Sequence, residues 1–402
     1  MRREFLKSLA FGTLSALSAF PKSLLRGQAN EWRQIKGQMA YRRLGRTNLF
    51  VSEIALGGSP LPDWSLLRQI IERGVNYIDS SSTYENGNAE RKIGRLFKEI
   101  GRDKVIAATK FHLRGNWSEE SIIRSVEGSL KRLETDSIDV LSIHGAEREN
   151  DLVDERVLNA MARLKKEGKY RFSGLSCHSN HERVVKKAVD CGHYDMVQLG
   201  YNVFDIEAPK QGVETHEDYL GESGIRALIK YAAARDVGII AMKTLKVGGR
   251  RQDLAKYRTG SISLYQAMLK WVLENKNVAS VVTEILNRDQ MEEDLAVPGT
   301  FLSAEVRKTL FGYVAENSRD YCHMCGRCER QCPSQIATTE ILRFLAYYES
   351  YEKREPAKTA YAELNPGRTA LACRSCGRCE KVCPYSVRVQ RKIREAHAVL
   401  AG

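Results

Sequence analysis

Short apolar runs alternate with amphipathic stretches between residues 50 and 300. The runs are Val51–Leu56, Val75–Asp79, Lys104–Lys110, Ile138–His144, Phe172–Ser176, Met196–Tyr201, Val237–Lys243 and Val278–Thr283. Their near-continuous hydrophobicity marks strands buried on both faces of a parallel sheet. Between them, Ser118–Leu133, Asp151–Glu167, His181–Cys191, Ser223–Arg235 and Ile262–Glu274 repeat apolar residues at helical spacing. Ser118-Glu-Glu-Ser121 and Asp151 read as helix starts, and Gly168, Gly192 and Gly238 lie near helix ends. Eight strands each followed by a helix predict an α/β fold, a (β/α)8 TIM barrel. The preceding Ala40–Phe50 is expected to form a hairpin across the barrel's lower end.

The pattern changes after residue 317. Thr339–Tyr351 is helical in spacing, with Phe344, Tyr347, Tyr348 and Tyr351 on one face. That stripe suits packing against a core or a neighbouring domain better than stacking on bases. The expected divisions are a leader over 1–30, the barrel over 38–317, and a small, mainly α-helical domain over 318–402.

Composition alters this picture little. The 402 residues are 43% hydrophobic and 28% charged, ordinary globular material with room for more than one domain. The net charge of +13 concentrates partly in the leader and in the C-terminal region. No block of basic residues with interleaved aromatics is present, so no nucleic-acid partner is expected.

Cysteine spacing adds the first chemistry. Cys322, Cys325, Cys328 and Cys332 precede Pro333, and Cys373, Cys376, Cys379 and Cys383 repeat that spacing before Pro384. Runs of this form hold two [4Fe–4S] clusters, the fourth thiol of each run reaching the other cluster. The expected sets are therefore Cys322, Cys325, Cys328 and Cys383, and Cys373, Cys376, Cys379 and Cys332. Structural zinc uses pairs of C-x2-C rather than two runs of four thiols. A chain this long needs no disulfide framework. The long spacer between the repeats resembles the α-helical ferredoxin domain of respiratory iron–sulfur subunits.

The leader opens Met1-Arg-Arg-Glu-Phe-Leu-Lys7, and an apolar run from Leu9 to Phe20 follows, too short to span a bilayer unaided. It resembles a twin-arginine signal, which implies the twin-arginine export machinery as a partner and an exported, periplasmic location. Gly27-Gln28-Ala29 is the best cleavage site, and retention as a membrane anchor stays open.

Four polar residues fall at C-terminal strand ends, where barrels of this kind carry their chemistry. Asp79 ends the second strand, Tyr84 follows it, Lys110 ends the third and His144 ends the fourth. The stretches Gly74-Val-Asn-Tyr-Ile-Asp79-Ser-Ser-Ser-Thr-Tyr84-Glu-Asn-Gly87, Ala108-Thr-Lys110 and Asp139-Val-Leu-Ser-Ile-His144 resemble the aldo-keto reductases, over about residues 40–300. With the C-terminal cysteines, the chain is similar to that family's ferredoxin-bearing branch. The resemblance implies interconversion of a small carbonyl compound and an alcohol by hydride transfer. Tyr84 would protonate the carbonyl oxygen, Lys110 would lower the phenol's pKa, Asp79 would hold Lys110, and His144 would polarise the carbonyl.

For a nicotinamide cofactor, NADP(H) or NAD(H), the resemblance offers Ser176 and Gln198 on the fifth and sixth strands. The family's Asn beside the serine is Cys177 here, and its stacking tyrosine is replaced within Ala241-Met242-Lys243-Thr244, leaving Lys243 as the candidate. The loop after the eighth strand reads Val282-Thr283-Glu284. Arg288 and Gln290 are either contacts to the adenosine phosphate or plain helix-start residues. Export compounds the question, because no free nicotinamide pool exists outside the cytoplasm, and the clusters offer electrons another route, with a redox partner protein. Two rivals stay open: an electron-transfer or binding protein whose barrel no longer turns over nicotinamide, and a cytoplasmic NADPH-dependent reductase.

Overall fold

Three short strands precede the barrel. β1 (Arg33–Lys36), β2 (Met39–Arg43) and β3 (Phe50–Ser52) form an antiparallel sheet with β2 in the middle. The expected hairpin is thus one strand larger. The expected first barrel strand, 51–56, divides at Glu53: its start joins this sheet, and its remainder enters the barrel. Glu53 is buried, and its carboxylate accepts from Arg42 Nε at 2.7 Å, is paired with Arg33 at 2.7 Å, and accepts from the Gly299 N–H at 2.9 Å. A buried carboxylate needs such partners, and turning toward them breaks the strand. Arg42 also donates to the carbonyls of Leu273 and Val278, tying the sheet to the barrel's lower end.

Eight parallel strands close the barrel: β4 (Ile54–Gly57), β5 (Tyr77–Asp79), β6 (Ile106–His112), β7 (Ile138–His144), β8 (Tyr170–Cys177), β9 (Met196–Gly200), β10 (Gly238–Met242) and β11 (Ser280–Thr283). β11 pairs with β4 to complete the ring. Each is followed by one helix, in order α1 (Trp64–Glu72), α2 (Asn88–Ile100), α3 (Glu119–Leu133), α4 (Glu155–Lys166), α5 (His181–Cys191), α6 (Gly224–Ala233), α7 (Leu264–Glu274) and α8 (Arg288–Leu295). Ser118 caps α3 in a capping box with Ser121, as its sequence predicts. Asp151 does not start α4. It lies in a 3-10 turn, and Asp154 is the cap, its carboxylate accepting from the Arg156 N–H. Gly238 opens β10 instead of closing a helix, and a Cβ there would lie 2.6 Å from the Leu44 side chain.

The structure describes residues 32–113, 115–205, 224–245, 252–318, 321–350 and 354–402. The leader's arginine pair and apolar run lie outside the described residues, as do most of the acidic stretch 202–222, residues 246–251 and Tyr351. Among the described residues, no helix is long and apolar enough to cross a membrane.

After α9 (Ala304–Asn317), the C-terminal domain is helical, as expected: α10 (Arg327–Arg330), α11 (Thr338–Ser350), α12 (Arg354–Ala362), α13 (Arg378–Lys381) and α14 (Val389–Leu400). Its two halves repeat each other. Glu329 accepts from the Thr339 N–H at the start of α11, and Glu380 accepts from the Gln390 N–H at the start of α14. Left-handed residues recur at matching places: Met324 and Ser375, Gly326 and Gly377, Gln335 and Ser386. α11 and α14 then bury Ile341, Leu345, Ile393 and Leu400 in a core separate from the barrel's. Residues Arg33–Gly402 nevertheless form one compact unit.

Candidate active site and cluster-binding loops

Parallel register brings the four sequence-predicted residues together. Asp79 on β5 lies opposite Ala108 of β6, while Lys110 and His112 on β6 lie opposite Ser142 and His144 of β7. Lys110 Nζ donates to Asp79 Oδ1 at 2.6 Å and to the Ser80 carbonyl at 2.7 Å, with both side chains almost fully buried. The same Nζ lies 5.2 Å from the centre of the Tyr84 ring, and His144 meets that ring edge-on at 5.5 Å. Tyr84 opens a 3-10 turn in which Glu85 and Asn86 both take left-handed angles (φ 49° and 54°). Two such residues in succession are strained. Glu85 holds the turn by accepting from the Leu61 N–H and from Lys92.

The electrostatics correct one expectation. Burial pushes the Tyr84 phenol well above 10, and the charges of Asp79 and Tyr347 push the same way. Lys110 does not pull it down, because Asp79 takes up its charge at 2.6 Å. Burial lowers Lys110 itself, while Asp79 opposes that shift. Sequence reasoning also passed over a polar chain behind His144. Its Nδ1 meets Ser81 Oγ at 2.9 Å, Ser81 meets Thr83 at 3.3 Å, and Thr83 meets His112 Nε2 at 3.0 Å. The spacing of His112 two residues beyond Lys110 on one strand was the available signal.

The fourth thiol of the first run lies with the first three of the second. Cys332 shares an apolar-walled recess with Cys373, Cys376 and Cys379, lined also by Pro333, Ile336, Val389 and Ile393. Cys383 lies close enough to Cys325 for its charge to act there, and Cys322 and Cys325 act likewise on Cys328. Backbone N–H groups of Met324 and Val387 point at the sulfurs of Cys322 and Cys383, at 3.5 and 3.4 Å. Such bonds to sulfur are one of the means by which proteins tune iron–sulfur clusters. Thiols spread around a recess fit the separate iron corners of a cubane.

Residues 63–257 match the aldo/keto reductase family, and residues 321–387 match the 4Fe-4S dicluster domain. The barrel is an aldo/keto reductase domain. Among its relatives, the uncharacterized oxidoreductase YqkF of Bacillus subtilis is 28% identical over 282 residues, covering 64% of this chain and 90% of that protein. L-galactose dehydrogenase of Arabidopsis thaliana is 25% identical over 291 residues, covering 63% and 86%. Aldo-keto reductase AKR11C1 from Bacillus halodurans, in its holo form, superposes with a TM-score of 0.55 at 24% identity, covering 68% of this chain and 95% of that one. The protein is an oxidoreductase with an iron–sulfur domain.

Within the aldo/keto reductase domain, the candidate nicotinamide residues divide. Ser176 and Gln198 are paired across β8 and β9. Ser176 Oγ accepts from the Gly145 N–H at 2.9 Å, and Gln198 Nε2 donates to Asp79 Oδ2 at 3.1 Å. A hydroxyl beside an amide suits the donor and acceptor of a carboxamide, so these two fit the group. Cys177, in the place of the family's Asn, donates instead to the Ser179 carbonyl. Lys243 follows β10 in a left-handed conformation (φ 59°). Arg288 and Gln290 lie in the first turn of α8, where Arg288 donates to Gln69 and the Gln290 side chain accepts from the Leu286 N–H. Gln290 thus has a helix-start role, while Arg288 joins α8 to α1.

The dicluster domain closes over the C-terminal end of the reductase barrel. Tyr321 stacks on Phe204 with ring centres 4.7 Å apart and accepts from Asn202 at 2.6 Å. His323 pairs with Asp205 at 3.0 Å and stacks on Tyr385 at 3.5 Å. Gly326 approaches so closely that a Cβ there would fall 2.2 Å from Asn180 Oδ1. From α11, Arg343 reaches Glu147 at 2.6 Å, and Tyr347 faces Lys243 Nζ at 5.6 Å from its ring centre. The aromatic stripe of α11 thus divides between its own core, at Phe344, and the barrel mouth, at Tyr347.

Proposed function

We propose that this protein is an exported oxidoreductase that interconverts a small carbonyl compound and an alcohol by hydride transfer, with electrons entering or leaving through its two [4Fe–4S] clusters. The observation that carries this reading is the convergence of Asp79, Lys110, Tyr84 and His144 beneath a roof built by the cluster-binding domain. A reduced nicotinamide, held through its carboxamide by Ser176 and Gln198, would supply the hydride. NADP-bound aldo-keto reductases of the same fold support that choice. Hydride addition leaves negative charge on the carbonyl oxygen. Tyr84 donates its proton there, and burial keeps the phenol in its protonated form until it does. His144, steadied by Ser81, lies against the Tyr84 ring where it can hydrogen-bond the same oxygen. Asp79 and Ser80 fix Lys110 in place beside the phenol.

Export rests on the Arg2-Arg3 leader, and the clusters would then stand in for a soluble nicotinamide pool, passing electrons singly from a reduced partner protein so that two electrons and one proton from water restore each hydride. Tyr84→Phe in anaerobically purified protein is expected to abolish carbonyl turnover while iron and sulfide content stay at wild-type levels. Full activity in that variant would overturn the assignment. Replacing both leader arginines with lysine is expected to leave the protein in the cytoplasmic fraction, and unchanged distribution would remove export from the reading.

A further inference from the structure

Cationic and imidazole groups crowd the space between the reductase barrel and α11. Lys243 enters it from β10. Its Nζ is shielded from water and has no hydrogen-bond partner among the described residues. His178, just past β8, presents an Nδ1 in the same condition. The His178 ring lies 6.1 Å from that of His144. Arg343 brings a second cation from α11, already matched by Glu147 at 2.6 Å and approached by Glu340 at 3.8 Å. Among the described residues no carboxylate pairs with Lys243, and Glu147, which acts on it at longer range, is already bonded to Arg343.

An ammonium without an acceptor is expensive to hold away from water. The face of Tyr347, 5.6 Å away, offsets only part of that cost. Burial and the neighbouring Arg343 accordingly press Lys243 down to about 7, and burial holds His178 well below its ordinary range. Lys243 Nζ and His178 Nδ1, both shielded and both without a partner among the described residues, form a site that an anion would complete. The anion's position is also constrained. Tyr347 stands against Lys243 and lies close enough to Tyr84 for its charge to raise that phenol. The unmatched cation therefore neighbours the reacting groups. Arg288, one of the two residues open to an adenosine-phosphate role, lies exposed on α8 and donates to Gln69.

We infer that Lys243 and His178 bind a carboxylate of the substrate, so that the compound turned over beneath α11 is a carbonyl or hydroxy acid rather than a neutral aldehyde, ketone or sugar. The inference deepens the hydride-transfer reading and rests on it. A nucleotide phosphate shares the oxyanion chemistry, and the test separates the two.

The test uses the full-length, cluster-loaded protein with acetate as probe and acetamide as its neutral counterpart, followed by calorimetric titration. Acetate is expected to bind at one site and acetamide not to bind. Lys243→Met is expected to weaken acetate about 10- to 100-fold, with iron, sulfide and the cluster absorption unchanged. If that variant does not fold, Lys243→Gln takes its place. Equal binding of acetamide, or acetate binding untouched by the substitution, overturns the inference. So does a Lys243→Met protein that loses affinity for NADP+ while keeping it for acetate, which would assign the lysine to the cofactor. Tyr84→Phe separates this from the parent reading: it should lose turnover and keep acetate binding. Turnover surviving in Tyr84→Phe would refute hydride transfer while leaving the acetate result intact.

Discussion

Tyr84 and Lys243, both near Tyr347, show burial acting in opposite directions. For the phenol, burial favours the neutral form and raises the pKa well above 10. Carbonyl reduction needs Tyr84 protonated, so its kcat should stay level between roughly pH 6 and 9. A fall with a midpoint near pH 8 in the wild-type rate profile, absent from a Tyr84 variant's residual rate, would contradict this. For the ammonium, burial favours loss of the proton. Lysine ordinarily titrates near 10.5 and Lys243 near 7. Between those values the unfolded chain holds a proton that the folded chain does not, so this residue makes stability rise with pH across that window. Its penalty is greatest at pH 7 and below. Lys243→Met is therefore expected to stabilise the ligand-free protein near pH 6 by about 1–3 kcal/mol, and by progressively less above pH 7. Denaturant unfolding at several pH values measures this. A variant less stable than wild type at pH 6 would show that the lysine has a compensating anion within the chain.

At the scale of elements, the junction of β3 and β4 depends on one side chain. Glu53 is buried between Arg42 and Arg33 and also accepts from the Gly299 backbone. Glu53→Gln leaves the guanidiniums without their carboxylate and is expected to cost about 3–5 kcal/mol, read as a shift in the barrel's unfolding midpoint. A shift within error would mean that the other acceptors of Arg42 suffice. Neither this break nor the cap at Asp154 was legible in the sequence. The run 51–56 is uniformly compatible with one strand apart from its glutamate, and Asp151 and Asp154 are equally good capping residues. Only the paired arginines and the 3-10 turn before α4 decide between the alternatives.

Across residues 33–402, the hydrophobic clusters of the barrel and that of the C-terminal helices share one compact unit yet stay separate, and Cys322, Cys332, Cys373, Cys379 and Cys383 pack against the latter. Metal binding and folding are coupled in small domains of this kind. Removing iron with a chelator is therefore expected to unfold residues 321–402 first, giving two calorimetric transitions where the loaded protein gives closely spaced ones. Loss of the first transition alone, with the barrel's unchanged, would confirm independent cores. A single transition at lower temperature would show that the barrel depends on its roof.

Much of this protein was determined along the chain. Continuous apolar runs demand two-faced burial, and eight of them separated by helices leave a closed parallel barrel as the economical solution. Strand ends then place Asp79, Lys110 and His144 on one rim, because parallel register aligns them wherever the barrel closes. Thiol spacing specified the cluster loops for a similar reason, since ligands a few residues apart are constrained locally. The aromatic stripe of α11 suggested packing against a neighbouring domain, but the contacts of the roof were not legible. Glu147 with Arg343, Asn202 with Tyr321, Asp205 with His323 and Lys243 beneath Tyr347 are each pairings across the molecule, and no local spacing announces them. The state of Tyr84 followed the same rule: a lysine nearby suggested a lowered pKa, but burial is a property of the packed structure, and there Asp79 had already taken that lysine's charge.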